Sequence, residues 1–207
     1  MTLGVAAVVA GGAVVGFLLG SVNPATAFAR LLRKDLSTSG SGNPGATNAG
    51  RVLGARWGVV VAVLDVLKGF GPAYLLLVAV GTVPAYITGV AAVLGHVYSP
   101  FLRGRGGKGV ATTLGVVLAV QPWFALVMVV VFGVVLAIGR WVAGASLAAA
   151  AMLVALGVAA GAGLLPGSWA TTIWAAVLAG IVGLRHDVNI RAWLRARGQR
   201  RADPSDA

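Results

Sequence analysis

Seven apolar runs, separated by short segments that hold nearly all of the charge, decide what this chain can become. They fall at 3–20, 57–80, 85–97, 110–120, 123–139, 144–165 and 169–184. A helix needs about 20 apolar residues to cross a bilayer core. Inside lipid the backbone must satisfy its own hydrogen bonds, so each run reads as a helix. The third and fourth runs are short. They must tilt, thin the bilayer, or leave the loop between them below the surface. The first run has no basic segment before it, so although Ala25-Thr26-Ala27 resembles a cleavage site, it reads as a retained first helix. The expected fold is all-α: a polytopic membrane bundle of about seven transmembrane helices, one domain over residues 1–207 with a basic tail at 193–207.

The basic residues fix the expected orientation. With seven crossings, 15 of the 16 lysines and arginines fall in connections on one side, from Arg30 to the arginines between Arg185 and Arg201. The opposite connections, at 81–84, 120–122 and 165–168, carry no charge. The positive-inside rule puts the N-terminus outside and the C-terminus in the cytoplasm. A re-entrant pair at the third and fourth runs would sink Arg103, Arg105 and Lys108 into the bilayer at about 2.5–3.5 kcal/mol each, so full crossings are favoured.

Composition removes several classes of function. A hydrophobic fraction of 58%, a mean hydropathy of +0.93 and a charged fraction of 10% exclude an ordinary soluble domain. The pI near 11.7 would suggest nucleic acid in a soluble protein. Here the cations punctuate apolar runs, so no nucleic-acid partner is expected. There is no cysteine and no glutamate, and the two histidines form no His-Glu-x-x-His motif. Neither a metal nor another cofactor is expected. Asp65 and Lys68 stand three apart inside the second run. The plain reading is a mutually neutralising pair facing other helices, with Gly69, Gly71 and Pro72 marking a kink or close contact beside it.

Two glycine-rich loops carry the chemistry. The first runs Gly40-Ser41-Gly42-Asn43-Pro44-Gly45-Ala46-Thr47-Asn48, and the second Arg103-Gly104-Arg105-Gly106-Gly107-Lys108-Gly109. Both contain G-x-G-x-x-G, but neither follows a strand, so a dinucleotide fold is excluded. A Walker loop also fails, because Leu102 stands where its first glycine belongs and Gly109 follows the lysine. The simpler reading is a pair of anion sites at helix N-termini. Gly106, Gly107 and Gly109 would let the backbone fold around an oxyanion, with Lys108 adding charge. Ser41, Asn43, Thr47 and Asn48 offer hydroxyl and amide groups, and Arg51 a bidentate grip. Against this stand two plainer readings: arginines placed only by topology, and glycines serving as flexible linker. A third cluster follows the seventh run, where a helix would present His186 and Asn189, three apart, together with Arg185 adjacent; the plainer reading of His186 is a cap or a solvated residue.

These three clusters resemble one family, the bacterial acyl-phosphate-dependent glycerol-3-phosphate acyltransferases. The likeness rests on Gly40-Ser41-Gly42-Asn43 with Gly45-Ala46-Thr47-Asn48 and Arg51; on Gly106-Gly107-Lys108-Gly109-Val110-Ala111-Thr112; and on Arg185-His186 with Asn189-Ile190. Gly95-His96 and Leu64-Asp65 with Lys68-Gly69 are also similar, so it spans nearly the whole chain. The resemblance implies an acyl phosphate donor, glycerol-3-phosphate as acceptor and lysophosphatidate as product, made at the cytoplasmic side of the cell membrane among membrane lipids. It implies catalytic roles for Ser41, Lys108, His186 and Asn189. Substrate-binding roles fall to Gly42, Asn43, Thr47, Asn48, Arg51, Arg105, Gly106, Gly107, Gly109, Thr112, Ser146 and Arg185, with Lys108's loop taking glycerol-3-phosphate. No His-x-x-x-x-Asp motif is present, which sets the chain apart from acyl-CoA or acyl-carrier-protein enzymes. It departs from the family pattern at Ser37, Ala143, Arg105 and Gly198-Gln199-Arg200. The competing class is a transporter for phosphate or another small anion, which would hold substrate near the bilayer middle, where among charged residues only Asp65 and Lys68 are expected.

Overall fold

A computed structural model describes residues 3–202. Ten α-helices follow one another: α1 (Leu3–Ser21), α2 (Pro24–Leu31), α3 (Ala46–Leu53), α4 (Ala55–Ala79), α5 (Thr82–Val97), α6 (Val110–Val120), α7 (Pro122–Gly139), α8 (Val142–Gly161), α9 (Trp169–Leu184) and α10 (Asp187–Ala202). A 3-10 turn at Pro100–Leu102 follows α5. No strand occurs among the described residues. Helix α10 takes in the start of the expected tail; residues 203–207 lie outside the described residues, as do the side chains of Gly198, Gln199 and Arg200.

Each apolar run became a helix. By length and apolarity, five segments can cross a bilayer: Leu3–Leu31, Ala55–Ala79, Thr82–Leu102, Pro122–Gly139 and Val142–Gly161. Helix α9 with the start of α10 makes a sixth, bent by 56°. The structure thus offers five or six crossings by length rather than seven, because α6 has only 11 residues. Large side chains such as Trp123, Ile138 and Leu164 remain exposed around the bundle, as a lipid-facing surface requires.

Glycine-mediated contact joins the helices that carry the site. Lipid cannot drive apolar helices together, so close van der Waals approach has to. In α1, a Cβ on Gly16 would meet the Thr88 carbonyl and one on Gly20 the Ala92 carbonyl; in α5, one on Gly95 would meet the Phe17 carbonyl. Helices α4 and α6 show the same reciprocity, Gly69 lying against the Thr112 carbonyl and Gly115 against the Val66 carbonyl. The expected close contact at Gly69 is therefore with α6. Around these seams the core gathers Val93, Val97, Val116, Val117, Leu153 and Leu178, with Tyr86 stacked on Trp174 at 4.3 Å.

Helices α2 and α3 lie outside the apolar runs; α3 is the helix into which the first glycine loop was expected to lead, whereas α2 was not expected. Asn23 caps α2 by accepting from the Thr26 amide at 2.8 Å, with Pro24 as first helical residue. Their inner faces bury Ala25, Ala29 and Ala49, with Leu36 of the intervening loop, against Val61 of α4.

Candidate active site

The loop from α5 to α6 is fastened from two directions. Its Gly106 amide donates to the Val97 carbonyl at 3.0 Å and its Gly107 amide to the His96 carbonyl at 3.1 Å. The Arg185 guanidinium then donates to the Gly106 carbonyl at 3.1 Å and, more weakly, to the Gly107 carbonyl at 3.4 Å. This corrects the sequence reading. Gly106 and Gly107 do not offer amides to an anion, because the last carbonyls of α5 already take them. Their lack of a side chain serves packing: a Cβ on Gly106 would meet the His96 carbonyl, and one on Gly107 the His96 ring. Gly109 turns the chain at φ +82°, and α6 starts at Val110. Its first bond runs from the Thr113 amide to the Gly109 carbonyl, so the amides of Val110, Ala111 and Thr112 precede the intrahelical ladder. The amides this loop leaves open are thus those of the first turn of α6.

Lys108 lies beside that turn and is held by the third cluster. Its Nζ donates to Asn189 Oδ1 at 2.6 Å. Burial pushes the Lys108 pKa below the usual lysine value, and the nearby Arg185 and Arg51 guanidinium groups push it the same way. His186 is buried and its Nδ1 sits 2.8 Å from the Val182 carbonyl. A carbonyl can only accept, so Nδ1 carries the proton and Nε2 keeps a lone pair. Burial lowers the pKa of His186; the Val182 bond opposes this and Lys108 adds to it. The ring is neutral at pH 7.

The first loop is built around Asn48. Its Oδ1 accepts from the Ser41 amide at 2.8 Å, and its Nδ2 donates to the Leu36 and Ser39 carbonyls, both at 3.1 Å. All of this happens in a side chain 1% exposed. Asn48 therefore shapes the loop, and its amide has no free hydrogen for a substrate. Gly40 and Gly42 take the left-handed conformation at φ +64° and +68°, and Asn23 Nδ2 ties down the Pro44 carbonyl at 2.9 Å. Ser41 and Thr47 are exposed, and Asn43 is half-buried. Arg51, on the α3 helix that follows, is near enough for its charge to act on Lys108.

Among the described residues, no hydrogen bond joins Ser41, Thr112 or Ser146 to Lys108 or Asn189. Thr112 Oγ1 is buried without a hydrogen-bond partner, and Ser146 Oγ bonds back to the Val142 carbonyl at 2.9 Å within α8. Arg105 lines a different cavity, of about 430 Å³, with Arg30, Phe101, Leu102 and Arg103. The sequence reading missed Asn23, and it missed His96 as the floor beneath Gly107. The Asn-Pro pair at 23–24 was a usable helix-start signal. His96 stood out only through the similarity of Gly95-His96 to the family, because its contact with Gly107 exists only once the loop closes.

Lys108 and Asn189 thus meet beside one helix N-terminus, with Arg185 bonded to the same loop and the Arg51 charge acting on Lys108, and the family model for glycerol-3-phosphate acyltransferases matches residues 10–196. The chain belongs to that family. A glycerol-3-phosphate acyltransferase of Geotalea daltonii is 38% identical over 176 residues, covering 84% of this chain and 88% of the relative. One of Aquifex aeolicus is 48% identical over 116 residues, or 55% of this chain; there the match spans only 60% of the relative's length. The crystal structure of PlsY, an integral membrane glycerol 3-phosphate acyltransferase, superimposes in its glycerol 3-phosphate form with a TM-score of 0.86 at 37% identity, covering 91% of this chain and 93% of that one. Its lysophosphatidic acid form gives 0.83 at 38% identity.

Two of the departures from the family pattern lie in described segments with contacts of their own. Ser37 closes a turn on Asp35, whose Oδ1 accepts from both its amide and its hydroxyl at 2.7 Å. Those bonds lower the Asp35 pKa. Trp141, in the segment that ends at Ser146, stacks on Trp193 of α10 at 5.9 Å and so fastens α8 to α10.

Proposed function

We propose that the protein transfers an acyl group from acyl phosphate to the 1-hydroxyl of glycerol-3-phosphate, giving lysophosphatidate and phosphate. The observation that carries this reading is the Lys108–Asn189 contact, made beside the first turn of α6 with Arg51 and Arg185 close by. No carboxylate pairs with Lys108, Arg51 or Arg185 among the described residues, so three cations stand ready for phosphorylated reactants. A transporter would hold its substrate near the bilayer middle; this cluster lies at the loop end of the bundle.

The chemistry needs little from the protein. The 1-hydroxyl oxygen attacks the acyl carbonyl carbon, the bond from that carbon to the phosphate oxygen breaks, and the departing phosphate takes the hydroxyl proton. Phosphate is a good leaving group, so holding both reactants in register supplies much of the acceleration. Lys108 and the α6 amides offset the charge that develops. Asn189 fixes the Lys108 ammonium in place, and Arg185 fixes the loop that carries it. The neutral His186 offers Nε2 as a hydrogen-bond acceptor for an acceptor hydroxyl. Ser41 and Thr47 are the exposed hydroxyls through which the first loop meets the second substrate.

The site faces the cytoplasm of the inner membrane, with the N-terminus outside. Support comes from the basic connections, which the bonds Lys108–Asn189, Arg185–Gly106 and Ser99–Ser21 gather at one end, and from the positive-inside rule. The test is direct. Purified protein in detergent, given acyl phosphate and labelled glycerol-3-phosphate, makes labelled lysophosphatidate. Absence of product, together with anion flux in proteoliposomes, would replace this reading with transport.

A further inference from the structure

Asp65 and Lys68 were expected deep in the bilayer as a self-neutralising pair. The structure forms that pair within α4 and adds a third member. Lys68 Nζ lies 2.9 Å from Asp65 Oδ1 and donates to the Val22 carbonyl, just past the end of α1, at 2.7 Å. On its other side Asp65 Oδ1 stands 3.5 Å from His96 Nδ1. Neither of these two atoms has a well-aligned hydrogen-bond partner. Asp65 is 2% exposed and His96 4%. The far edge of the His96 ring, at Nε2, lies against Gly107, and the His96 carbonyl accepts the Gly107 amide.

A buried carboxylate is costly to keep, and apolar residues of equal volume would neutralise a mere ion pair as well or better. What they could not do is orient an imidazole. We infer that Asp65 is a positioning residue for the acyl transfer proposed above, acting through His96 on the loop that carries Lys108. Asp65 draws the Nδ1 edge of the ring toward its carboxylate at 3.5 Å and so orients the ring plane; the ring and carbonyl of His96 fix Gly107; Gly107 fixes where Lys108 leaves the backbone. Lys68 balances the charge and ties the set to the end of α1. Neither Asp65 nor His96 touches substrate. Loss of such a supporting partner elsewhere costs about 10–100-fold.

The experiment separates orientation from simple charge balance. The double variant Asp65→Leu/Lys68→Met removes both charges together and keeps apolar packing, so its thermal midpoint in detergent stays near that of the unaltered protein. If Asp65 positions His96, the variant nevertheless shows a KM for glycerol-3-phosphate about tenfold or more higher, with a smaller change in kcat. His96→Asn retains a donor near the Nδ1 position and keeps more of the activity than His96→Leu. Unaltered kinetic constants in the double variant, or equal losses in the two His96 variants, overturn the inference. Failure of the unaltered protein to make lysophosphatidate would instead refute the proposed reaction, and the two failures are read in the same assay.

Discussion

Lys108 Nζ and Asn189 Oδ1 meet at 2.6 Å although 81 positions separate them in the chain. This one bond joins the α6 loop to α10. It aims the ammonium while leaving its charge intact, since an amide oxygen is neutral.

Lys108→Met therefore lowers kcat/KM by about 10²–10³-fold, the usual loss when a donor to developing charge is removed. Asn189→Asp tests the neutrality of the partner. A carboxylate there pairs with Lys108 and repels phosphate, so the variant loses more activity than Asn189→Ala. Steady-state kinetics on the three proteins decide it, and an active Asn189→Asp enzyme would contradict the role given to the amide.

The pH profile follows from the depressed pKa of Lys108. A lysine is charged below its pKa, so the cation is present at neutral pH and lost as pH rises. Burial and the neighbouring Arg185 and Arg51 bring that loss to a less alkaline pH than for a free lysine. Arg51→Gln removes one repelling charge and shifts the alkaline limb of kcat/KM upward, whatever it does to the maximum. A limb that stays in place or moves down argues against the proximity of these groups.

His186 should give no acid limb near its ordinary value, because burial and Lys108 keep the ring neutral to lower pH. His186→Asn retains a donor for the Val182 carbonyl and keeps the fold, so its activity reports on Nε2 alone. If kcat survives intact, His186 has no part in the reaction.

Asn48→Ala deletes three hydrogen bonds in a buried place, at about 1 kcal/mol each. The expected loss is about 2–3 kcal/mol, seen as a lower thermal midpoint in detergent, with a raised KM for one of the phosphorylated substrates. Asn48→Asp would turn a carboxylate toward the Leu36 and Ser39 carbonyls and be at least as damaging.

At the α4–α6 seam, Gly115→Leu drives a side chain into the Val66 carbonyl. Backbone cannot rotate out of the way, so destabilisation of at least about 1–3 kcal/mol is expected. The same change at Gly133, where a Cβ meets nothing within 4 Å, is tolerated. Comparable thermal midpoints for the two variants would show that the seam is looser than described.

The helices were legible because hydrophobicity alone sets a membrane span: the run at 110–120 and that at 169–184 match α6 and α9 residue for residue. Lys108, Asn189 and Arg185 were legible as groups, since glycine, lysine and amide in that pattern have few other uses beside a membrane. Other roles were hidden in tertiary closure. Gly106 and Gly107 looked like amide donors because a sequence does not show that the carbonyls of His96 and Val97 arrive first. Asn48 looked like a ligand for substrate, yet its partners are Ser41, Leu36 and Ser39, set by how the loop curls. Asp65 was placed by counting residues along α4, and counting cannot tell that Lys68 stands level with the end of α1.

Helix α6 has 11 residues and so rises only about 16 Å, roughly half of an ordinary hydrocarbon core. A helix of that length cannot span the bilayer by itself, and Lys108 stands just before its first residue. The brevity of one helix brings two immiscible phases to the same lysine.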